Sequence, residues 1–228
     1  MMNVKTNIII SQGIYFFMKM TITLVIVFSL VFSGCAIVRD NDMDGVKMTE
    51  TDLNNDSSLE VATFAGGCFW CMESPYEKME GVAEVISGYS GGEKKNPTYS
   101  QVSSGSTKHR EAVQVYYDPS KTSYEDLLDL FWRQIDPTDS GGQFADRGFQ
   151  YTTAIFYHNN SQKELAEKSR DDYQKYFSEN IVTPIEEFKN FYPAEDYHQD
   201  YHTKNPIRYN AYKKGSGRTD FLKEQWDE

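Results

Sequence analysis

The stretch Glu60-Val61-Ala62-Thr63-Phe64-Ala65-Gly66-Gly67-Cys68-Phe69-Trp70-Cys71-Met72-Glu73 changes character at its two glycines. Its first five residues alternate polar and apolar as a half-buried strand does. Gly66-Gly67 then break the run with residues that tolerate unusual backbone angles. A helix is expected to start near Cys68. Orphan N–H groups and the positive dipole end of a helix favour a thiolate, so Cys68 is expected to be acidic and nucleophilic. Cys71 lies one turn on, within disulfide reach.

Downstream, Val82–Ile86 reads as a strand running into the turn cluster Gly88-Tyr89-Ser90-Gly91-Gly92, and Ala112–Tyr117 as a strand ending at Asp118-Pro119. Ser123 is a candidate N-cap for a helix Tyr124–Ile135 with Leu127, Leu128, Phe131 and Trp132 on one side. Tyr151–Tyr157 reads as a strand. A second helix starts at Asn160-Ser161, with Glu164 in capping-box register to Ser161, and runs to about Phe177. Ile181–Phe188 is expected to be a strand interrupted by Pro184. Adjacent strands mixed with helices predict an α+β fold, a two-layer sandwich in which helices cover a mixed sheet. From about Lys204 the tail is basic and poorly patterned, and is expected to be irregular.

The 228 residues, 39% hydrophobic, suffice for one good core. The front of the chain stands apart from it. Met18-Lys19-Met20 opens a basic region, and Thr21–Phe32 is an apolar run too short to span a bilayer comfortably. This reads as a secretory signal over residues 1–34, with Met18 an alternative start to Met1. Val31-Phe32-Ser33-Gly34-Cys35 resembles the lipobox of bacterial lipoproteins, which implies that Cys35 is lipidated and becomes the mature N-terminus. Two or more acyl chains on Cys35 would hold the protein on a membrane without spanning it. Without Lys5 and Lys19, the 23 Lys plus Arg fall to 21 against 34 Asp plus Glu, a net charge of −13. That balance argues against nucleic acid and against anionic lipid as a second anchor. Residues 35–58 are polar, acidic and without amphipathic period, and are expected to be a flexible tether to a domain spanning 59–228.

With one of three cysteines assigned to lipid, Cys68 and Cys71 form Cys-x-x-Cys. A structural disulfide there closes a tiny loop and stabilises little. Zinc held by Cys68, Cys71, His198 and His202 completes a four-ligand set, although its halves lie far apart in sequence. A thioredoxin-like exchanger also uses Cys-x-x-Cys at a helix start, but Phe69-Trp70 is bulky for an extended protein disulfide. Aromatics beside a thiol suit a small apolar group, because sulfur and methyl contacts with rings are favourable.

Gly67-Cys68-Phe69-Trp70 with Glu73, Gly88-Tyr89-Ser90-Gly91-Gly92, Asn96-Pro97-Thr98-Tyr99, Gly105 with His109 and Glu111-Ala112-Val113, and Tyr117-Asp118-Pro119 occur in that order. Phe131-Trp132, Asp136-Pro137, Asp146-Arg147-Gly148 with Gln150-Tyr151, and Ala194-Glu195-Asp196-Tyr197-His198-Gln199 continue the series. Together they resemble the A-type peptide methionine sulfoxide reductases over about residues 60 to 210. The resemblance implies that Cys68 is the nucleophile, Phe69 and Trp70 hold the substrate methyl, and Glu111 gives the sulfoxide oxygen a proton. It implies hydrogen bonds to that oxygen from Tyr99 and Tyr151, and a solvent-ordering role for Asp146. Glu111 can serve as an acid near neutrality only if burial raises its pKa.

By the same resemblance Cys68 becomes a sulfenic acid, which condenses with a nearby thiol. Many members keep that resolving cysteine in the tail; here position 210, after the matching Tyr209, is asparagine. Cys71 is then the only thiol left in the domain to resolve the intermediate. The resulting Cys68–Cys71 disulfide would be reduced by a thioredoxin-like protein. The implied substrate is the S epimer of methionine sulfoxide; no cofactor or metal is expected, and the enzyme is expected to be a monomer. Tyr209 carries no assigned catalytic role, and His109 and His198 are expected to hydrogen-bond the scaffold.

Overall fold

The structure, a computed structural model, describes residues 50–226. The signal segment, Cys35 and most of the tether lie outside the described residues. In chain order the elements are α1 (Glu50–Asn55), β1 (Glu60–Gly66), α2 (Phe69–Tyr76), β2 (Val82–Ser90), α3 (Tyr99–Ser103) and β3 (Arg110–Tyr117). Next come α4 (Tyr124–Trp132), the short strands β4 (Gly142–Gln143) and β5 (Asp146–Arg147), a 3-10 turn at Phe149–Tyr151, β6 (Thr153–Tyr157) and α5 (Asn160–Tyr173). The chain continues with a second 3-10 turn (Gln174–Tyr176), β7 (Ile185–Glu187), β8 (Phe191–Pro193), α6 (Tyr201–Lys204), α7 (Pro206–Gly215) and α8 (Arg218–Trp226).

One mixed sheet runs in the order β7-β6-β1-β3-β2-β8, antiparallel throughout except where β7 joins β6. It curves as a half-barrel flanked by helices, the α+β arrangement expected from the sequence. Phe64 of β1 anchors the helical side. Its ring stacks on Tyr76, Tyr124 and Phe131 at centroid distances of 5.4, 6.1 and 5.3 Å, contacts worth about 0.5–1.5 kcal/mol each beyond area burial. Leu127, Leu128, Phe131 and Trp132 are fully buried as the α4 pattern predicts. Trp132 satisfies its indole N–H by donating to Ser169 Oγ at 2.6 Å. Ser123 caps α4 as expected, accepting from the Asp126 N–H at 3.1 Å in a capping box.

Several boundaries differ from the sequence reading. β1 is buried on both faces from Ala62 onward, not half-wet. It sits between β6 and β3, and the polar letter in its pattern, Thr63, is satisfied by His158 Nε2 at 2.9 Å. α5 takes Asn159 as its cap, whose Oδ1 accepts from the Gln162 N–H at 2.9 Å, so the Ser161–Glu164 box is not used. Of the expected strand Ile181–Phe188 only β7 pairs, because Pro184 has no N–H to give and instead accepts from Ile155 N–H at 3.0 Å. Residues 50–55, inside the expected tether, form α1, with Leu53 buried and Asn54 Oδ1 accepting from Tyr116 OH at 3.0 Å.

The largest correction is the tail, expected to be irregular from about Lys204 and in fact helical as α7 and α8. Pro206 sits at the first position of α7, where its missing N–H costs nothing. α8 begins at Arg218, which is buried to 1% exposure. Its guanidinium donates to Gly66 O at 2.8 Å and to Gln134 O, and lies 3.9 Å from Met72 Sδ. A buried cation thus ties the tail to the end of β1, which apolar periodicity could not reveal.

Candidate active site

The β1–α2 junction sets the first functional group. Gly67 has φ +86°, and a Cβ there would meet Gln143 Cβ at 2.7 Å and Arg218 Nη2 at 2.8 Å, so glycine is required for both backbone and space. Cys68 is the N-cap of α2 with φ −54° and ψ 121°, and its side chain makes no capping hydrogen bond. The first helical N–H, that of Phe69, goes instead to Glu111 Oε2 at 3.1 Å. Glu111 reaches the junction from β3, which lies directly beside β1.

Around these two residues is a cavity of about 70 Å³. Its walls are Cys68, Phe69, Trp70, Tyr99, Glu111, Asp146, Tyr151 and Tyr212. All seven of the wall residues named from the sequence therefore meet, although they come from α2, α3, β3, β5 and a 3-10 turn. Cys68 is 5% exposed and opens on that cavity, whereas Cys71 at 1% lies behind it, packed with Tyr209. Trp70 is held flat against Tyr201, with centroids 3.8 Å apart and planes 8° from parallel, and edge-on to Tyr212.

Burial pushes the Glu111 carboxyl up to about 8, against the Phe69 N–H that favours its anion and with help from the charge of Asp146. Glu111 is thus protonated at neutral pH, as its expected role requires. Burial also raises Tyr99 to about 12 and lifts Tyr151, keeping both hydroxyls as donors. Asp146 is raised by burial, opposed by the hydroxyl that Tyr212 donates to its Oδ2.

The thiols reverse the expectation that Cys68 is the acidic one. Burial pushes Cys68 up, and its thiol hydrogen points to Cys71. Cys71 is lowered to about 7, chiefly by accepting that hydrogen, then by the positive charges of Arg218 and Lys213, with burial opposing. The main physical reason is burial of the Cys68 sulfur, and the Phe69 N–H at the helix start is donated to Glu111.

Other expected residues fall out differently. His109 hydrogen-bonds the scaffold, its Nδ1 accepting from Gly92 N–H at 3.2 Å and its Nε2 2.8 Å from Lys94 O. His198 does not; both ring nitrogens lack hydrogen-bond partners among the described residues, and the ring packs on Phe69, Tyr99 and Trp70 at 5.0, 4.3 and 5.6 Å. Cys68, Cys71, His198 and His202 do not assemble; His202 gathers with Glu73 and Glu77, which is the cluster of possible metal ligands among the described residues. Tyr209 is buried on the thiol pair and pushed up to about 12 by burial. Tyr212 and Arg218 were missed. The spacing of small helical tail residues around Gly215-Ser216-Gly217 gave no sign that the chain turns back onto the site.

The profile of the family described as peptide methionine sulfoxide reductase matches residues 60–228. Peptide methionine sulfoxide reductase MsrA of Bacillus licheniformis is 57% identical over 169 residues, 73% of this chain and 93% of that protein. MsrA 2 of Staphylococcus aureus (strain MRSA252) is 52% identical over 169 residues, 73% of this chain and 96% of that protein. Among solved structures, Mxr1 from Saccharomyces cerevisiae in reduced form aligns with a TM-score of 0.63 at 35% identity, covering 72% of this chain and 92% of that one. Methionine sulfoxide reductase A of Corynebacterium diphtheriae aligns with a TM-score of 0.61 at 30% identity, covering 67% and 78%. Sequence, fold and cavity converge, and the chain belongs to the peptide methionine sulfoxide reductase family, as an oxidoreductase of the MsrA type that reduces methionine sulfoxide.

Proposed function

We propose that the chain reduces the S epimer of peptide-bound or free methionine sulfoxide at Cys68, with Cys71 as the resolving thiol. The observation that carries this reading is the Glu111 carboxyl, buried and so pushed up towards its protonated form, on the same small cavity as the Cys68 sulfur. Phe69 and Trp70 form the apolar wall for the methyl group, and Tyr99 and Tyr151 supply neutral hydroxyl donors to the sulfoxide oxygen. A cavity of about 70 Å³ admits the end of one side chain, not a folded substrate.

In this mechanism the Cys68 sulfur attacks the sulfoxide sulfur while Glu111 lends its proton to the oxygen and recovers the one the thiol gives up. The S–O bond breaks, the hydroxyl passes to Cys68, and methionine leaves; the thioether gains the electron pair and Cys68 becomes a sulfenic acid. Cys71 then displaces water from that sulfenic acid to close the Cys68–Cys71 disulfide. A thioredoxin-like dithiol supplies the two electrons and two protons that reopen it. Cys71 lies one turn along α2, and its N–H donates to Cys68 O at 3.0 Å, which supports this pairing.

The signal-like segment before Cys35 supports export and attachment to a bacterial membrane through acyl chains, with repair of oxidised exported proteins as the task and a monomer as the working form. Globomycin treatment tests the anchor: an unprocessed precursor is expected to accumulate, and normal processing with Cys35 changed to Ser would exclude lipidation there.

The decisive experiment is turnover of a blocked methionine sulfoxide by wild type, Cys68→Ser and Cys71→Ser. Cys68→Ser is expected to release no methionine. Cys71→Ser is expected to release one equivalent and then stall with thioredoxin as reductant. Sustained thioredoxin-linked cycling by Cys71→Ser would defeat the resolving role.

A further inference from the structure

Glu73 lies two residues past Cys71 and is completely buried, yet it has no part in the chemistry above. One carboxylate oxygen is fixed, Oε1 accepting from Asp200 N–H at 3.0 Å and Ser87 Oγ at 3.2 Å. The other, Oε2, is buried without a hydrogen-bond partner among the described residues. It points towards His202 Nδ1, 4.0 Å away and likewise buried without a hydrogen-bond partner. On the other side of the same imidazole, Nε2 is 3.1 Å from Thr203 Oγ1 and 3.3 Å from Glu77 Oε2. One ligand atom from each of the three residues lies within 4.8 Å of the others.

A buried oxygen and a buried ring nitrogen that face each other at 4.0 Å, too far for a direct hydrogen bond, form a costly arrangement unless something sits between them. One ion can take only one of the two imidazole nitrogens; the three ligand atoms lie within 4.8 Å of one another, whereas ligands on a tetrahedral zinc-like ion at about 2.0–2.2 Å stand roughly 3.3–3.6 Å apart, so the side chains must close by about 1 Å around it. Binding must displace the proton that burial favours on Glu73; two carboxylates then balance a divalent charge, and one imidazole favours a transition metal over magnesium or calcium. The Glu77 and His202 side chains are 24% and 14% exposed, which leaves an entry path and a fourth position for water. Lys78 is the nearby opposing charge, offset by Asp200. We infer that Glu73, Glu77 and His202 bind one divalent transition-metal ion of the zinc class, joining α6 to α2. The ring of His202 meets Tyr209 edge-on at 5.8 Å, so an ion held there also fixes the tyrosine that covers both thiols.

Cobalt(II) is the probe, titrated into the full chain carrying Cys68→Ser and Cys71→Ser, with binding read by calorimetry and by visible absorption. One ion per chain is expected, with the d–d bands of a nitrogen- and oxygen-ligated site. His202→Ala and Glu77→Gln, added separately, are each expected to weaken binding at least tenfold, whereas Glu164→Gln on α5 leaves it unchanged. Because loss of His202 could loosen the tail, Glu77→Gln in the otherwise wild-type chain is also assayed and is expected to keep its sulfoxide turnover, which shows the fold intact. Absence of saturable binding, or binding that survives both substitutions, overturns the site. In the wild-type chain, sulfur-to-cobalt charge-transfer absorption at the first equivalent would put the ion on the thiols and overturn it as well.

Discussion

The sheet-borne half of the site and the tail-borne half are built on different principles. On β1, β3 and α2, position follows from strand pairing and apolar burial: Phe64 packs the core, and Glu111 is brought beside Cys68 by the β1–β3 register. The tail adds polar ties to its aromatic contacts: Arg218 donates to two carbonyls and Tyr212 to Asp146, while Trp226 packs on Tyr173 and Phe177 and Phe221 on Phe144. The sheet therefore fixes where chemistry happens, and the tail fixes what surrounds it.

Removing the acid from the sheet half should have the largest effect. Glu111→Gln keeps the shape and can still accept from Phe69 N–H, but has no proton to lend; the first-turnover rate is expected to fall by about 10²–10³. The pH profile supplies the sign. Glu111 is raised to about 8, so its proton is present below that pH and lost above it. The wild-type first-turnover rate should decline about tenfold per unit once the pH passes about 8, and that limb should vanish in Glu111→Gln. Retention of the limb in the variant would assign it to another group.

Arg218→Met breaks the comparison from the other side. It leaves Gly66 O and Gln134 O without their donors, and a loss of about 2–4 kcal/mol of stability is expected by denaturant unfolding. Limited proteolysis should then cut within α7 or α8 before the sheet. Equal stability, or cleavage that starts in the sheet, would show that the tail is not held by this cation.

The smallest change is Tyr212→Phe. It removes a hydroxyl from the cavity wall and leaves Asp146 without its donor, yet keeps the ring against Trp70. A drop in kcat of a few-fold to tenfold is expected, with little change in melting temperature. A stability loss as large as that of Arg218→Met would make Tyr212 a structural anchor and blur the contrast between the two halves.

The sheet half was readable because its signals are local. The strand–glycine–cysteine run, the Ser123 cap and the α4 apolar face each lie within about a dozen residues, and the resemblance brought Glu111, Tyr99, Tyr151 and Asp146 to the same place. Tyr212 and Arg218 carried no such signal. A buried arginine reads as an exposed one until its carbonyl partners are known, and those partners are 84 and 152 residues away in the chain. The acidity of the thiols depends first on the burial of Cys68, which only the fold supplies. Whether a helix N–H serves the cysteine beside it or the carboxyl on the next strand depends on register, which the run around Cys68 does not contain.

Met72 has a consequence of its own. Its thioether follows the nucleophile by one helical turn, is wholly buried, and is backed by the Arg218 guanidinium at 3.9 Å. A Cβ on Gly66 would collide with that sulfur at 2.5 Å, so glycine there gives the thioether its room against the end of β1. Met72 is absent from the lining of the cavity on which Cys68 opens, so the two sulfurs, one turn apart in sequence, differ in their access to anything that enters there.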